Sequence, residues 1–201
     1  MALPIFTVSA GSRASFCMNG VNVHRTGQAV QRQDKAGATP ALLVQAGCES
    51  DVRIADCTVT GSQVCVGISG PNRWRPGPGG GGAEFGSVAI SRCRLNGARR
   101  VGLVVSGGVN HVDLESTTIE HCGVGALCDS RGGRMLLDAS CTVMDCFGCG
   151  IYVTKECDLS GGGCSLRGAK IEHNSGGGLV MELRGSRTMM KGTSVRIAAG
   201  G

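Results

Sequence analysis

The chain of 201 residues is 41% apolar, enough for the core of one ordinary domain, but it is only 3% aromatic and carries 35 glycines, so that core has to be built from small and aliphatic side chains close to the backbone. Charged residues make up 17% and the net charge is +5, which excludes a disordered polyelectrolyte; the basic residues are scattered apart from Arg73, Arg75, Arg99 and Arg100, which argues against the dense stripe of a nucleic-acid surface. No apolar run approaches the roughly 20 residues that a membrane-spanning helix needs.

The predicted elements recur in one form, apolar-x-apolar-x-x-small-x-apolar. In chain order it reads Phe16, Met18, Val21, Val23; then Val52, Ile54, Cys57, Val59; then Val88, Ile90, Cys93, Leu95; then Val112, Leu114, Thr117, Ile119. A weaker copy stands next at Leu136, Asp138, Cys141, Val143, and two more at Cys164, Leu166, Ala169, Ile171 and Thr188, Met190, Thr193, Val195. The copies start at residues 16, 52, 88, 112, 136, 164 and 188, so the steps are 36, 36, 24, 24, 28 and 24 residues: a base period of 24 with inserts of 12, 12 and 4. Internal repetition at such a period predicts a solenoid.

The two-residue step inside each copy breaks the period-2 alternation. Pairs such as Asn19-Gly20, Ala55-Asp56, Ser91-Arg92 and Lys191-Gly192 stand there, and several are good turn formers, so each copy is predicted as two strands with a bend. A shorter apolar-x-apolar strand completes each repeat, at Phe6–Val8, Leu42–Val44, Leu103–Val105, Ala126–Cys128, Ile151–Val153 and Leu179–Met181. A glycine usually precedes it: Gly67, Gly102, Gly125, Gly150, Gly178, as suits a corner with close backbone approach. In the weak copy Asp138 would face inward; either it is a buried carboxylate, or Leu137 replaces it through a bulge, and the bulge is the expected outcome.

Helical repeats are excluded by the alternation and by glycine in every unit, at about 1 kcal/mol each against a helix. The leucine-rich pattern is also absent. Three strands per turn, about 24 residues per turn and glycine at a corner resemble the right-handed parallel β-helix of the pectin-lyase-like superfamily, over residues 5–197. The expected fold is therefore all-β: a single-stranded right-handed parallel β-helix of about seven coils with three short strands each. It forms one domain over residues 1–201, with polar Pro/Gly-rich insert loops near 28–40 and 71–85; Arg73-Trp74-Arg75 in the second is a candidate contact tip, and "GGGG" at 79–82 belongs to that loop, not to a nucleotide motif. The two ends show no amphipathic cap, so the chain is expected to be a segment of a larger protein, with end-to-end self-association as another outcome.

The 12 cysteines fit no familiar disulfide spacing, and residues 1–13 lack the basic-then-apolar pattern of a secretory leader. Reduced thiols serving as small core residues in the cytoplasm are the expected reading, and the neighbours Cys57 and Cys93 are expected to stay unlinked.

Stacked coils turn equivalent positions into columns, and these columns hold the candidate sites. The outward residue of the short strand reads Leu43, Ser69, Val104, Leu127, Tyr152, Val180, an apolar stripe where water is expected; Leu43, Val104, Leu127, Tyr152 and Val180 are the candidate partner-binding residues. The superfamily resemblance implies that enzymes place acids, bases and sugar-stacking aromatics on this face, and those residue types are scarce here. On the adjacent position Asp129 and Glu182 stand two coils, about 10 Å, apart, the alternative catalytic pair of a polysaccharide hydrolase or lyase, beside Arg131, Lys155 and Arg184. The polygalacturonase-type motifs and a calcium-binding aspartate cluster are absent. Another column reads His121, Asp145, His173, and a weak zinc alternative combines His121, Cys122, Cys146 and Cys149; the expectation is no metal and no cofactor. The first expectation for function is a non-enzymatic interaction or scaffold module of an intracellular multidomain protein, similar to β-helix domains of F-box substrate receptors and of spindle- or cilium-associated scaffolds. Its partner would be a protein or a neighbouring domain, not a membrane or a nucleic acid.

Overall fold

The structure, a computed structural model, describes residues 6–10, 14–24, 40–47, 49–61, 63–70, 86–106, 111–129, 134–154 and 163–181. Nineteen short strands in these residues form three sheets, and every registered pair is parallel. Sheet A stacks β1 (Phe6–Ala10), β4 (Pro40–Ala46), β7 (Val64–Ser69), β10 (Val101–Ser106), β13 (Val124–Asp129), β16 (Ile151–Val153) and β19 (Leu179–Met181). Sheet B stacks β2 (Ser15–Asn19), β5 (Asp51–Ala55), β8 (Ser87–Ser91), β11 (His111–Glu115), β14 (Arg134–Leu137) and β17 (Gly163–Leu166). Sheet C stacks β3 (Asn22–His24), β6 (Thr58–Thr60), β9 (Arg94–Asn96), β12 (Thr118–Glu120), β15 (Thr142–Met144) and β18 (Lys170–Glu172). Successive strands visit A, B and C in turn, so the chain winds as a three-sided solenoid.

The repeat fixes the register. Ile54 pairs with Ile90 and Ile90 with Leu114, and all three lie in one buried file. Val52, Val88 and Val112 make the file beside it, and Val59, Leu95, Ile119 and Val143 the file of sheet C. Aliphatic side chains one coil apart thus touch their own equivalents, which removes apolar surface from water in every coil at about 25 cal/mol per Å².

Both bends turn through the left-handed region. Between sheets B and C the residues with positive φ are Gly20, Asp56, Arg92 and Ser116, at 67°, 53°, 50° and 48°. After sheet C they are Gly61, Gly97, His121, Asp145 and His173, at 84°, 72°, 51°, 54° and 56°. The His121–Asp145–His173 column is therefore a set of corner residues, of types that tolerate this conformation better than most.

The inward residue after each bend is small for a reason beyond space. Cys57 donates its thiol to the carbonyl of Ala55 at 3.0 Å, Cys93 to Ser91 at 3.2 Å, and Thr117 its hydroxyl to Glu115 at 3.0 Å. At the next corner Cys122 donates to Glu120 at 3.1 Å and Cys146 to Met144 at 3.5 Å. Each gives a bend carbonyl a side-chain donor; those of Ala55, Ser91, Glu115 and Glu120 also accept a backbone N–H from the neighbouring coil. In the same file as Cys122 and Cys146, Asn174 is 4% exposed; its amide donates to Val143 O at 3.1 Å and its oxygen accepts from Cys146 N at 3.0 Å.

One sequence expectation holds and two shift. The inward pair of the weak copy is Met135 and Leu137, both 0% exposed, so the phase moves by one residue as the bulge reading required. Asp138 turns outward and accepts from Ser140 N and Oγ; partial burial pushes its carboxyl up, but hydrogen bonds from Ser140 and Cys141 outweigh that and hold it below the usual range. In β7 the inward pair is Val66 and Ile68, so Ser69 leaves the outward stripe and Gly67 takes its place. The corner column then reads Ala41, Cys65, Gly102, Gly125, Gly150, with Cys65 where Gly67 was expected. Finally, Pro40 already belongs to β4 rather than to the first insert. The remainder of that insert from residue 28, the second insert at 71–85 with Arg73-Trp74-Arg75, and the last copy from Thr188 lie outside the described residues.

Candidate partner-binding face

Sheet A presents its outer side as a registered stack. Leu43 pairs with Gly67, Gly67 with Val104, Val104 with Leu127, Leu127 with Tyr152, and Tyr152 with Val180. The structure thus brings together all five predicted partner-binding residues in one column. Their neighbours from β4 to β16, such as Ala126 and Cys128 around Leu127, are buried, which sets the stripe residues on the opposite side. The stripe itself is half-buried, because at about 4.8 Å per coil each side chain covers part of the next.

A second apolar column, missed in the sequence, stands at the strand entrances: Pro40, Val64, Val101 and Val124 in register. Beyond it, Phe147 is 75% exposed on the corner leading into β16, next to Gly148, whose position lies against Val124. Phe147 occupies a turn, outside any alternation, so no period could reveal it. Gly67 makes a dip in the stripe, and a side chain there would press on Pro40 Cγ at 3.1 Å.

The opposite border is polar. Ser9, Gln45, Ser69, Ser106, Asp129 and Thr154 succeed one another up the stack, with Ser9 donating to Gln45 at 2.9 Å and Thr154 to Asp129 at 2.5 Å. Of the alternative catalytic pair, Asp129 accepts from Thr154, and Glu182, with Arg131, Lys155 and Arg184, lies outside the described residues. The weak zinc alternative fails on direction. Cys122, Cys146 and Cys149 are buried, whereas His121 is exposed, and among the described residues no three His, Cys, Asp or Glu side chains converge as a metal site.

The ten described cysteines are thiols rather than disulfides. Burial pushes the thiols of Cys93 and Cys141 up to about 11. Cys122 interacts with two other thiols; Cys146 draws it down, but Cys65 and burial outweigh that and push it up to about 12. The Cys122 thiol holds Cys65 below its ordinary value, and the same neighbour together with burial raises Cys146. The raised thiols of Cys93, Cys122, Cys141 and Cys146 are core groups in which burial favours the protonated form.

Among the described residues, sheet C carries one buried charge. Glu120 is 3% exposed, bound by the Arg94 guanidinium of the preceding coil, with His121 Nδ1 at 3.9 Å. Asp56 and Arg92 form an exposed two-pronged pair across neighbouring coils at 2.7 Å.

Parallel strands in three registered sheets, wound A to B to C, define a parallel β-helix. The chain belongs to the right-handed β-helix family: the model of that family, described as a right handed beta helix region, matches residues 42–196. No curated protein and no solved structure matches the chain. Among the described residues no helix is long and apolar enough to cross a membrane.

Proposed function

We propose that this β-helix is a non-enzymatic protein-interaction module of an intracellular multidomain protein, and that it binds a protein partner or a neighbouring domain through the outer face of sheet A. The observation that carries this reading is the registered column Leu43, Gly67, Val104, Leu127, Tyr152, Val180, widened by Val101 and Val124 and edged by Phe147. An apolar strip rimmed by serine, threonine and aspartate has the anatomy of an interface: an apolar middle, an aromatic anchor and a polar border. A sugar-cleaving site would instead need paired, tuned carboxylates on this face, and Asp129 is committed to Thr154.

The test is Leu127→Asp combined with Tyr152→Asp in the full-length protein, with partner capture and thermal unfolding read together. The expected result is loss of the partner with the fold retained. Unchanged capture by a folded double variant would end the proposal.

A further inference from the structure

Cys122 and Cys146 occupy equivalent corners of neighbouring coils. The amide of Phe147 donates to the carbonyl of Cys122 at 2.9 Å, which sets the two cysteine α-carbons about one coil step, 4.8 Å, apart. That separation falls inside the roughly 4.4–6.8 Å window of disulfide-bonded cysteines. Both side chains point inward at 0% and 1% exposure, and their thiols interact with each other. A third thiol, that of Cys65, also interacts with Cys122 from sheet A. The interactions run in a row from Cys65 to Cys122 to Cys146, and among the described residues no three His, Cys, Asp or Glu side chains form a metal site.

We propose that Cys122 and Cys146 form a latent disulfide, closed by a peroxide, that clasps two neighbouring coils of the solenoid. One sulfur attacks the peroxide oxygen, the O–O bond breaks, and a sulfenic acid and one water result. The second sulfur attacks the first, forming the Sγ–Sγ bond and releasing a second water. Two S–H bonds break, the thiols lose two electrons, and the peroxide is reduced by them. At rest both groups are protonated and sealed from solvent, so the reaction passes through brief opening of the corner. Cys65 offers the bond a second partner by thiol–disulfide exchange. The Cys57–Cys93 stack has the same coil spacing, set by Arg94 N to Cys57 O at 2.9 Å, but Thr117 stands above it and no third thiol completes a row. The clasp lies directly ahead of the strands that carry Leu127 and Tyr152, yet its chemistry does not depend on what those residues bind.

The experiment exposes the folded chain to hydrogen peroxide, removes the peroxide with catalase, and unfolds the chain in iodoacetamide before digestion and peptide mass mapping. The expected product has two fewer alkylated cysteines than the 12 of the reduced chain, a Cys122–Cys146 linked peptide pair located by fragmentation, and a higher urea midpoint that returns to its starting value with dithiothreitol. Cys146→Ser removes the linked pair; the mapping of the unaltered chain stands whether or not this variant folds. All cysteines alkylated, sulfinic acid without a bond, a bond at Cys57–Cys93 alone, or the scrambled pairs of an unfolded control would each overturn the proposal.

Discussion

Gly125→Ala tests the closeness of the coils at a tight corner. A Cβ on Gly125 would lie 2.3 Å from Val143 Cγ1 and 2.4 Å from the carbonyl oxygen of Gly150, against about 3.5 Å or more for comfortable contact. The same obstacle repeats up the column: Gly102 would meet Gly125 O at 2.7 Å, and Gly150 would meet Gly178 O at 2.8 Å. Gly150 O also accepts from Ala126 N at 2.8 Å, so moving it weakens a coil-to-coil hydrogen bond. Overpacking of about 1–3 kcal/mol and a lost bond of about 1 kcal/mol together give a destabilisation of about 3 kcal/mol. Gly97→Ala is the comparison: φ is 72° there but nothing lies within 4 Å of the added methyl, so only the left-handed penalty of about 1–2 kcal/mol applies. Urea midpoints of the two variants measure the difference. If Gly125→Ala is as stable as Gly97→Ala, the coils are not stacked as described.

Further expectations concern the interior. Asn174→Leu should cost about 1–3 kcal/mol by leaving Cys146 N buried without its side-chain acceptor and removing the amide donor to Val143 O, read by thermal unfolding; a neutral result would show that water reaches that corner. Arg94→Met should destabilise more than Arg53→Met, because Glu120 at 3% exposure would keep a buried charge while Asp51 can turn to solvent. The raised thiols set an alkaline limit. A folded pKa of about 11 at Cys93 and Cys141, above the ordinary 9.0, gives stability that is complete below about pH 9 and is lost as pH rises toward 11, so urea midpoints should fall across that window and Cys93→Ala should flatten the fall. A slope unchanged by that variant would place the thiol in water.

Period-2 alternation made sheets B and C legible, because one buried residue in two is enforced wherever a strand covers the interior. The residue pairs at the bends were equally legible, since left-handed corners restrict residue type. Errors fell where several phases satisfy the alternation. "VCVGIS" at 64–69 is apolar at 64, 66 and 68, so Gly67 resembled the corner glycine, while Cys65 held that corner. At 135–138, "MLLD" offers two phases, and burial selects the one that frees Asp138. The stripe was visible from spacing alone; the entrance column of Val101 and Val124 was not, because its residues sit where the strand leaves the corner and alternation has not begun. Thiol donation to bend carbonyls was also hidden, since it depends on where the chain turns rather than on the order of residue types along it.

The most direct test of the interaction face is carbene footprinting of the full-length protein with and without its bound partner. The predicted result is reduced labelling at Leu43, Val104, Leu127, Tyr152 and Val180 with the labels of sheets B and C unchanged. Protection confined to the Asp129–Thr154 border, or absent from sheet A altogether, would contradict it.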